Sequence, residues 1–318
     1  MAKVLVTGGA GFIGSHVVDA YLREGWDVVV IDDLSRGRKE NVNPRANFYK
    51  ISILDARIKD IFRKEKFDIV NHHAAQIDVR LSTRDPAFDT RINVLGTLNL
   101  LQNCLTFKTK NFIFISSGGA IYGEPSHLPV KETHAKFPFS PYGINKYTIE
   151  LYLYFYKKTS GLNYISLRYG NVYGPRQDPL GEAGVVAIFA LKMLKRERPL
   201  IFGDGEQTRD YVFIDDVVDA NLLATRNIES INRKPLLTPD DFAYNIATGK
   251  EESVNNLYKK IAHLTCFSGP AIYAEPRKGE VRKICLDFQK AKDELHWYPK
   301  TSLLQGLKKT LEFIRENY

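Results

Sequence analysis

The feature that most constrains this chain is a glycine-rich turn set between a strand and a helix. Val4-Leu5-Val6 is a short apolar run, Thr7-Gly8-Gly9-Ala10-Gly11-Phe12-Ile13-Gly14 follows it, and helical periodicity fills Ile13 to Glu24. Glycines at 8, 11 and 14 let the backbone turn tightly and approach a pyrophosphate. That pyrophosphate then meets a helix N-terminus, where free amides and the helix dipole favour anions. Such a pattern alone is weak evidence; here the strand before it and the helix after it are both present. The second apolar run, Asp27 to Ile31, leads into Asp32-Asp33, about 20 residues on, where an acid takes the adenosine ribose hydroxyls. A carboxylate there repels the extra phosphate of NADP, so the expected cofactor is NAD.

Further strand-like runs occur at Phe67 to His72, Phe112 to Ser116 and Tyr164 to Leu167, with helical periodicity between them, as over Thr90 to Phe107. Short buried strands alternating with helices predict an α/β fold with a Rossmann-like, doubly wound parallel sheet. After Gly170 the pattern loosens, with turns at Gly174-Pro175 and Pro179 to Gly184. Phe242 to Ile246 reads as a strand returning to the sheet. Helices over Val254 to Leu264 and Leu303 to Arg315 belong to a smaller C-terminal α/β substrate domain. The expected division is 1–171 plus roughly 211–248 for the NAD-binding domain, and roughly 172–210 plus 249–318 for the substrate domain.

Composition excludes several classes. No apolar run reaches the ~18 residues of a membrane helix. Met-Ala-Lys leads straight into the first strand, leaving no room for a signal peptide, so a cytoplasmic protein is expected. Cys104, Cys266 and Cys285 lie far apart, a spacing that predicts neither a disulfide framework nor a metal site. The net charge of +8 speaks to solubility or to an anionic substrate. No basic stretch is interleaved with stacking aromatics, so nucleic acid is not an expected partner.

Tyr142 and Lys146 sit four residues apart on one predicted helix, with Ser140 as N-cap, Pro141 at its first position and Gly161 at its end. A second Y-x-x-x-K, Tyr154 and Lys158, lies on the same helix, roughly 18 Å further along. Ligands of doubly wound sheets bind at the carboxyl ends of the strands. The helix starts there, so Tyr142 and Lys146 are the functional pair. A phenol titrates near ~10 and is a poor base at neutral pH. A neighbouring ammonium and a cationic nicotinamide both favour the phenolate, which can then take a proton from a substrate hydroxyl.

Taken together, the chain resembles the extended short-chain dehydrogenase/reductase family, and within it the UDP-glucose 4-epimerases. The resemblance is carried by TGGAGFIG, HHAAQ (His72 to Gln76), Asn93-Val94-Leu95-Gly96-Thr97, SSGGAIYG (Ser116 to Gly123), SPYGINK (Ser140 to Lys146), RYGNVYGPR (Arg168 to Arg176), FGDGEQTRDYVFIDD (Phe202 to Asp216) and PRKGE (Pro276 to Glu280). It implies a tightly bound NAD, a UDP-sugar substrate and reversible oxidation at C4 of the sugar. Gly8, Gly11, Phe12, Ile13, Gly14, Asp32, Asp33 and Ile53 would hold the adenosine and pyrophosphate half of the cofactor. Ala74, Ala75, Gln76 and Tyr169 would line its nicotinamide side together with Tyr142 and Lys146, and Asn93 would lie near its pyrophosphate. Ser117, Tyr142, Asn171, Val185, Phe202, Arg209, Arg277 and Glu280 would bind substrate, the arginines as diphosphate clamps. Ile284 matches a position that gates sugar size. Thr90 to Phe107 and Tyr142 to Thr159 match the helices that pair in a homodimer. His72 and His73 are expected to pack rather than to bind metal.

The chain departs from the pattern at Gly118, where many relatives carry Ser or Thr. Either Ser117, or a water in the space beside Gly118, would then relay the proton of the 4-hydroxyl. The residues before Tyr122-Gly123 are Gly119, Ala120 and Ile121, without the acids that assist elimination in the family's dehydratases. Re-reduction of the oxidised sugar, and hence interconversion of UDP-glucose and UDP-galactose, is the expected outcome. The alternatives are C4 epimerisation of UDP-N-acetylhexosamines or other nucleotide sugars, a nucleotide-sugar dehydratase or reductase, and a non-catalytic NAD-binding protein.

Overall fold

The computed structural model describes residues 2–181, 184–277 and 281–318. Strand β1 (Lys3–Thr7), helix α1 (Phe12–Arg23) and strand β2 (Asp27–Asp32) form the first crossover. Strand β3 (Asn47–Lys50), helix α2 (Ile58–Glu65) and strand β4 (Ile69–His72) follow. β1, β2 and β4 are buried almost throughout. Helices cover both faces of a parallel sheet, which is why these strands read as unbroken apolar runs. β3 was not expected from sequence. It lies at the sheet edge with its residues only half buried, so it has no apolar signature.

Helices α3 (Val79–Arg84) and α4 (Pro86–Thr90) are capped by the carboxylates of Asp78 and Asp85. A π-helical turn at Arg91–Leu95 then leads into helix α5 (Gly96–Phe107). The single helix expected over Thr90 to Phe107 is therefore interrupted. The wide turn carries a buried Asn93, and such turns are frequent at functional sites. Strand β5 (Asn111–Ser117) runs into the one-turn helix α6 (Gly118–Ile121). Helix α7 (Pro141–Ser160) begins as the sequence predicts. Ser140 Oγ accepts from the Gly143 amide at 3.2 Å, and Gly161 closes the helix with φ +72°.

Strand β6 (Asn163–Tyr169) follows, then β7 (Asn171–Tyr173), α8 (Val185–Leu194), β8 (Leu200–Phe202), β9 (Thr208–Arg209), β10 (Tyr211–Phe213) and α9 (Ile214–Ile231). The chain ends with β11 (Ala243–Ile246), β12 (Glu252–Ser253), α10 (Val254–Thr265), β13 (Ile272–Ala274), α11 (Gln289–Leu295) and α12 (Leu303–Asn317). The main sheet has seven strands in the order β11-β6-β5-β4-β1-β2-β3, every pair parallel. The order of building reverses between β1 and β4, and ligands bind beyond the carboxyl ends of the strands at such a switch point. Outside the main sheet lie the two-stranded pairings β7–β10, β8–β13 and β9–β12, the last two belonging with the smaller C-terminal α/β part.

Arg168 on β6 is fully buried and fixes α7 against the sheet. Its guanidinium pairs with Glu150 on α7 and reaches the Tyr122 hydroxyl at 3.0 Å, the Glu132 carbonyl at 2.9 Å and Asp240 at 2.6 Å. Removing one partner of such a pair costs about 3–5 kcal/mol, because the other charge is left stranded. No helix among the described residues is long and apolar enough to cross a membrane.

Candidate active site

The turn after β1 is shaped for glycine. Gly8 has φ +70°, and a Cβ there would lie 2.6 Å from the Ala74 amide nitrogen; one on Gly14 would lie 2.2 Å from the Gly8 carbonyl. No side chain caps α1 at Gly11, the arrangement that leaves first-turn amides for an anion. Beside this cradle, Asp32 Oδ2 accepts from the Ala10 amide at 3.0 Å and Oδ1 from the Leu34 amide at 2.8 Å. Burial pushes its carboxyl up, while those amides pull it back down. Asp33 is exposed and accepts from the Ser35 amide, so Asp32 is the acid held against the cradle. Ile53 packs under the start of α5, where a Cβ on Gly96 would meet its Cδ1 at 2.6 Å.

The segment after β4 lines the next part of the crevice. The Ala74 amide donates to Thr7 Oγ1 at 3.2 Å. Asn93 does not present a free amide. Its Oδ1 accepts from the Gln76 amide at 2.9 Å, and its Nδ2 donates to the Gln76 carbonyl at 3.0 Å, closing the turn around Gln76. Tyr169 is held down in the core, its hydroxyl accepting from Asn221 at 2.6 Å. His72 packs as expected, between Thr7 and Thr97 hydroxyls and against Phe112 and Phe114. The His73 ring is buried, which pushes it down to about 3 and keeps it neutral.

Tyr142 and Lys146 sit at the start of α7 beneath the end of β5. Lys146 is 5 % exposed and donates to the Ile115 carbonyl at 2.8 Å. Its ammonium lies 5.7 Å from the centre of the Tyr142 ring. Burial pushes the ammonium down to about 8, with Asp89 and Glu150 partly restoring it. Burial also pushes the Tyr142 phenol up to about 12, against a lowering hydrogen bond with Ser117. Tyr142 is therefore protonated at neutral pH in the protein by itself, and the phenolate needs a further positive charge beside it. The other pair behaves differently: the Tyr154 hydroxyl donates to the Leu237 carbonyl at 3.2 Å, and Lys158 to that of Leu236.

A cavity of about 830 Å³ opens in front of Tyr142, within the usual ~300–1,000 Å³ of small-molecule sites. Ser117, Tyr142, Asn171, Val185, Phe202, Arg209 and Arg277 all line it. The Arg277 guanidinium lies 3.8 Å over the Phe202 ring, and Arg209 donates to the Thr208 carbonyl at 2.8 Å. Glu280 lies outside the described residues. The space beside Gly118 is taken, since a Cβ there would lie 2.3 Å from Leu286 Cδ1. Ser117 lines the cavity, and its hydroxyl hydrogen-bonds with Tyr142. Ile284 is 2 % exposed and packs with Ile121, Tyr122 and Leu286 in a small apolar cluster instead of lining the cavity.

Sequence reasoning missed one wall of the cavity, formed by Ile77, Val79, Thr83 and Phe139. It also missed Asp210, next to Arg209. Asp210 accepts from the Thr248 amide and hydroxyl at 2.7 and 2.6 Å, the Gly249 amide at 2.9 Å and the Leu286 amide at 3.2 Å. Nothing local in the sequence marks either, because their partners come from distant segments.

A glycine cradle with a buried acid beside it, and a desolvated Tyr–Lys pair facing a separate cavity, define a nicotinamide-dependent enzyme on a Rossmann-like sheet. Residues 4–247 match the NAD dependent epimerase/dehydratase family, and the chain belongs to that family, with NAD as its cofactor. It is similar to the UDP-glucose 4-epimerase of Thermotoga maritima solved with UDP-glucose, at 50% identity and TM-score 0.93 over 99% of each chain. The UDP-glucose 4-epimerase of Thermus thermophilus in complex with NAD is 38% identical, at TM-score 0.91 over 99% of this chain and 100% of that one. The UDP-N-acetylglucosamine 4-epimerase of Methanobrevibacter ruminantium is 33% identical, at TM-score 0.90 over 100% of this chain and 99% of the other.

Proposed function

We propose that the protein is a C4 epimerase of UDP-sugars that interconverts UDP-glucose and UDP-galactose. The observation that carries this reading is one cavity with Tyr142 and Ser117 at one part of its lining and the cations Arg209 and Arg277 at another. Tyr142 takes the proton of the sugar 4-hydroxyl, with Ser117 relaying it. Held by the cradle of Gly8, Gly11 and Gly14 with Asp32 beside it, NAD would supply the reversible hydride chemistry at C4. The Lys146 ammonium, together with the positive charge of the oxidised nicotinamide, brings the Tyr142 phenol down toward neutral pH. Arg209 and Arg277 hold the diphosphate, with Asn171 beside them, while the 4-keto sugar turns its other face to the hydride donor. Gly119, Ala120 and Ile121 supply no acid for elimination, so re-reduction is the exit.

Purified protein given UDP-galactose, without added cofactor, is expected to form UDP-glucose, and a Tyr142→Phe variant to form it at least about a hundredfold more slowly. No conversion, even with NAD added, sinks the assignment. The relative from Methanobrevibacter ruminantium favours one second reading, a UDP-N-acetylhexosamine substrate, which the same assay with UDP-N-acetylgalactosamine separates. The working form is a homodimer. Ile144, Leu151 and Phe155 form an exposed apolar stripe on α7, and Phe88 and Leu95 are exposed on the adjoining helical segment. Light scattering on the same preparation should give twice the chain mass.

A further inference from the structure

Asp89, on α4, is fully buried. It does not line the sugar cavity. Three neutral side-chain amides donate to it. Gln76 Nε2 lies 2.6 Å and Asn93 Nδ2 3.1 Å from Oδ1, and Asn145 Nδ2 lies 2.6 Å from Oδ2. The donors come from the turn after β4, the π-helical turn and α7. Asn145 is the residue immediately before Lys146. We infer that Asp89 is a positioning residue for the Tyr142–Lys146 pair: it ties the catalytic helix to the turn around Gln76 and supplies the fixed negative charge that sets the pH range of the pair. This rests on the function proposed above.

The choice of side chain is informative. An ionised carboxylate is costly to bury. Its three donors satisfy its oxygens without bringing a countercharge, so its field reaches across the interior. Around Lys146, Asp89 faces from α4, and Glu150 and Tyr142 lie on α7 itself. His72 and His73 face from the end of β4, and Ser117 from the end of β5 approaches Tyr142. Glu150 is paired with Arg168. Both histidines are held neutral by burial. Asp89 is thus the charge in this group without a countercharge among its hydrogen-bond partners. It favours the proton on Lys146 and also on Tyr142. Removing the charge lets both groups give up their protons at lower pH.

Asp89→Asn, purified with its bound cofactor, is the first test. The Tyr142 phenolate is followed by its ultraviolet absorbance as the difference from Tyr142→Phe, with no substrate present. The midpoint is expected to fall by about one pH unit, and both limbs of the kcat–pH profile to move down with it while KM stays unchanged. An unmoved phenolate midpoint overturns the charge role. Asn145→Ala cuts the tie of Asp89 to α7, along with the Asn145–Thr90 hydrogen bonds between the same two helices, and leaves the Asp89 charge in place. It is expected to lower kcat about tenfold, at the low end of what a displaced acid–base group costs, without moving the limbs; a wild-type kcat overturns the positioning role. Should Asp89→Asn not fold, Asp89→Glu keeps the charge and moves it. A lowered kcat at the wild-type phenolate midpoint then supports the proposal, and a wild-type kcat overturns it. Because the phenolate titration needs no substrate, a shifted midpoint in a protein inactive on UDP-sugars would sink the functional reading and leave this inference standing.

Discussion

Helix α7 carries the same two residues at the same spacing twice, and its two ends behave as different materials. At its start, Lys146 is buried against the Ile115 carbonyl and shares its surroundings with Tyr142, Asp89 and Ser117. Towards its end, Lys158 is exposed, and Tyr154 and Lys158 both donate to the loop carbonyls of Leu237 and Leu236. The residue types are identical. Desolvation separates them: in a low-dielectric interior each charge is felt by its neighbours, whereas water screens the exposed pair. A sequence pair becomes reactive through its place on the sheet.

The largest effect should come from breaking one pair at a time. Tyr142→Phe is expected to lower kcat by about 10²–10⁴-fold, the usual scale of a lost acid–base group, and Tyr154→Phe to leave it within about twofold. Equal losses from both would erase the distinction between the two ends. Rates of C4 interconversion at saturating UDP-sugar decide it.

The second effect lies in pH. Lys146 titrates at about 8 in the folded protein, against its ordinary 10.5. Activity that depends on its charge should therefore fall as pH rises through about 8. Stability moves in the opposite sense. Between those two values the unfolded chain holds this proton and the native one does not, so this group's contribution to stability rises with pH. Lys146→Met should remove both trends, whereas Lys158→Met should remove neither. Paired kcat and denaturant-midpoint profiles measure this.

The smallest effect concerns the helix start that places the first pair. Ser140→Ala removes the N-cap and should cost about 1 kcal/mol of stability. Tyr154→Phe gives up one hydrogen bond at a partly wet surface and should cost about 0.5–1 kcal/mol. Urea unfolding of the two variants compares them; a larger loss from Tyr154→Phe would mean that the far end, and not the capped start, anchors the helix.

What could be read from sequence follows the same division. β1, the glycine turn, Asp32 and the capped start of α7 were legible because each is specified within a few residues of itself. β3 was not, since a half-exposed edge strand needs no apolar run. The π-helical turn escaped because it depends on Asn93 folding back onto Gln76. The cavity wall at Val79 and Phe139 depends on segments meeting that no local pattern brings together. Which way Ile284 faces was likewise beyond local pattern: it is buried with Ile121, Tyr122 and Leu286, the first two coming from a distant segment.

The clamp on Asp210 has a consequence for how the protein comes into being. The last strand of the main sheet ends at Ile246, whereas Leu286, which donates to Asp210, is made later. Chains emerge from the ribosome in one direction and fold in the order they appear. A nascent chain can therefore have a finished cradle for NAD while Val254, Arg277 and Val281 have yet to join the lining of the cavity, so the cofactor can settle before the sugar's chamber is complete.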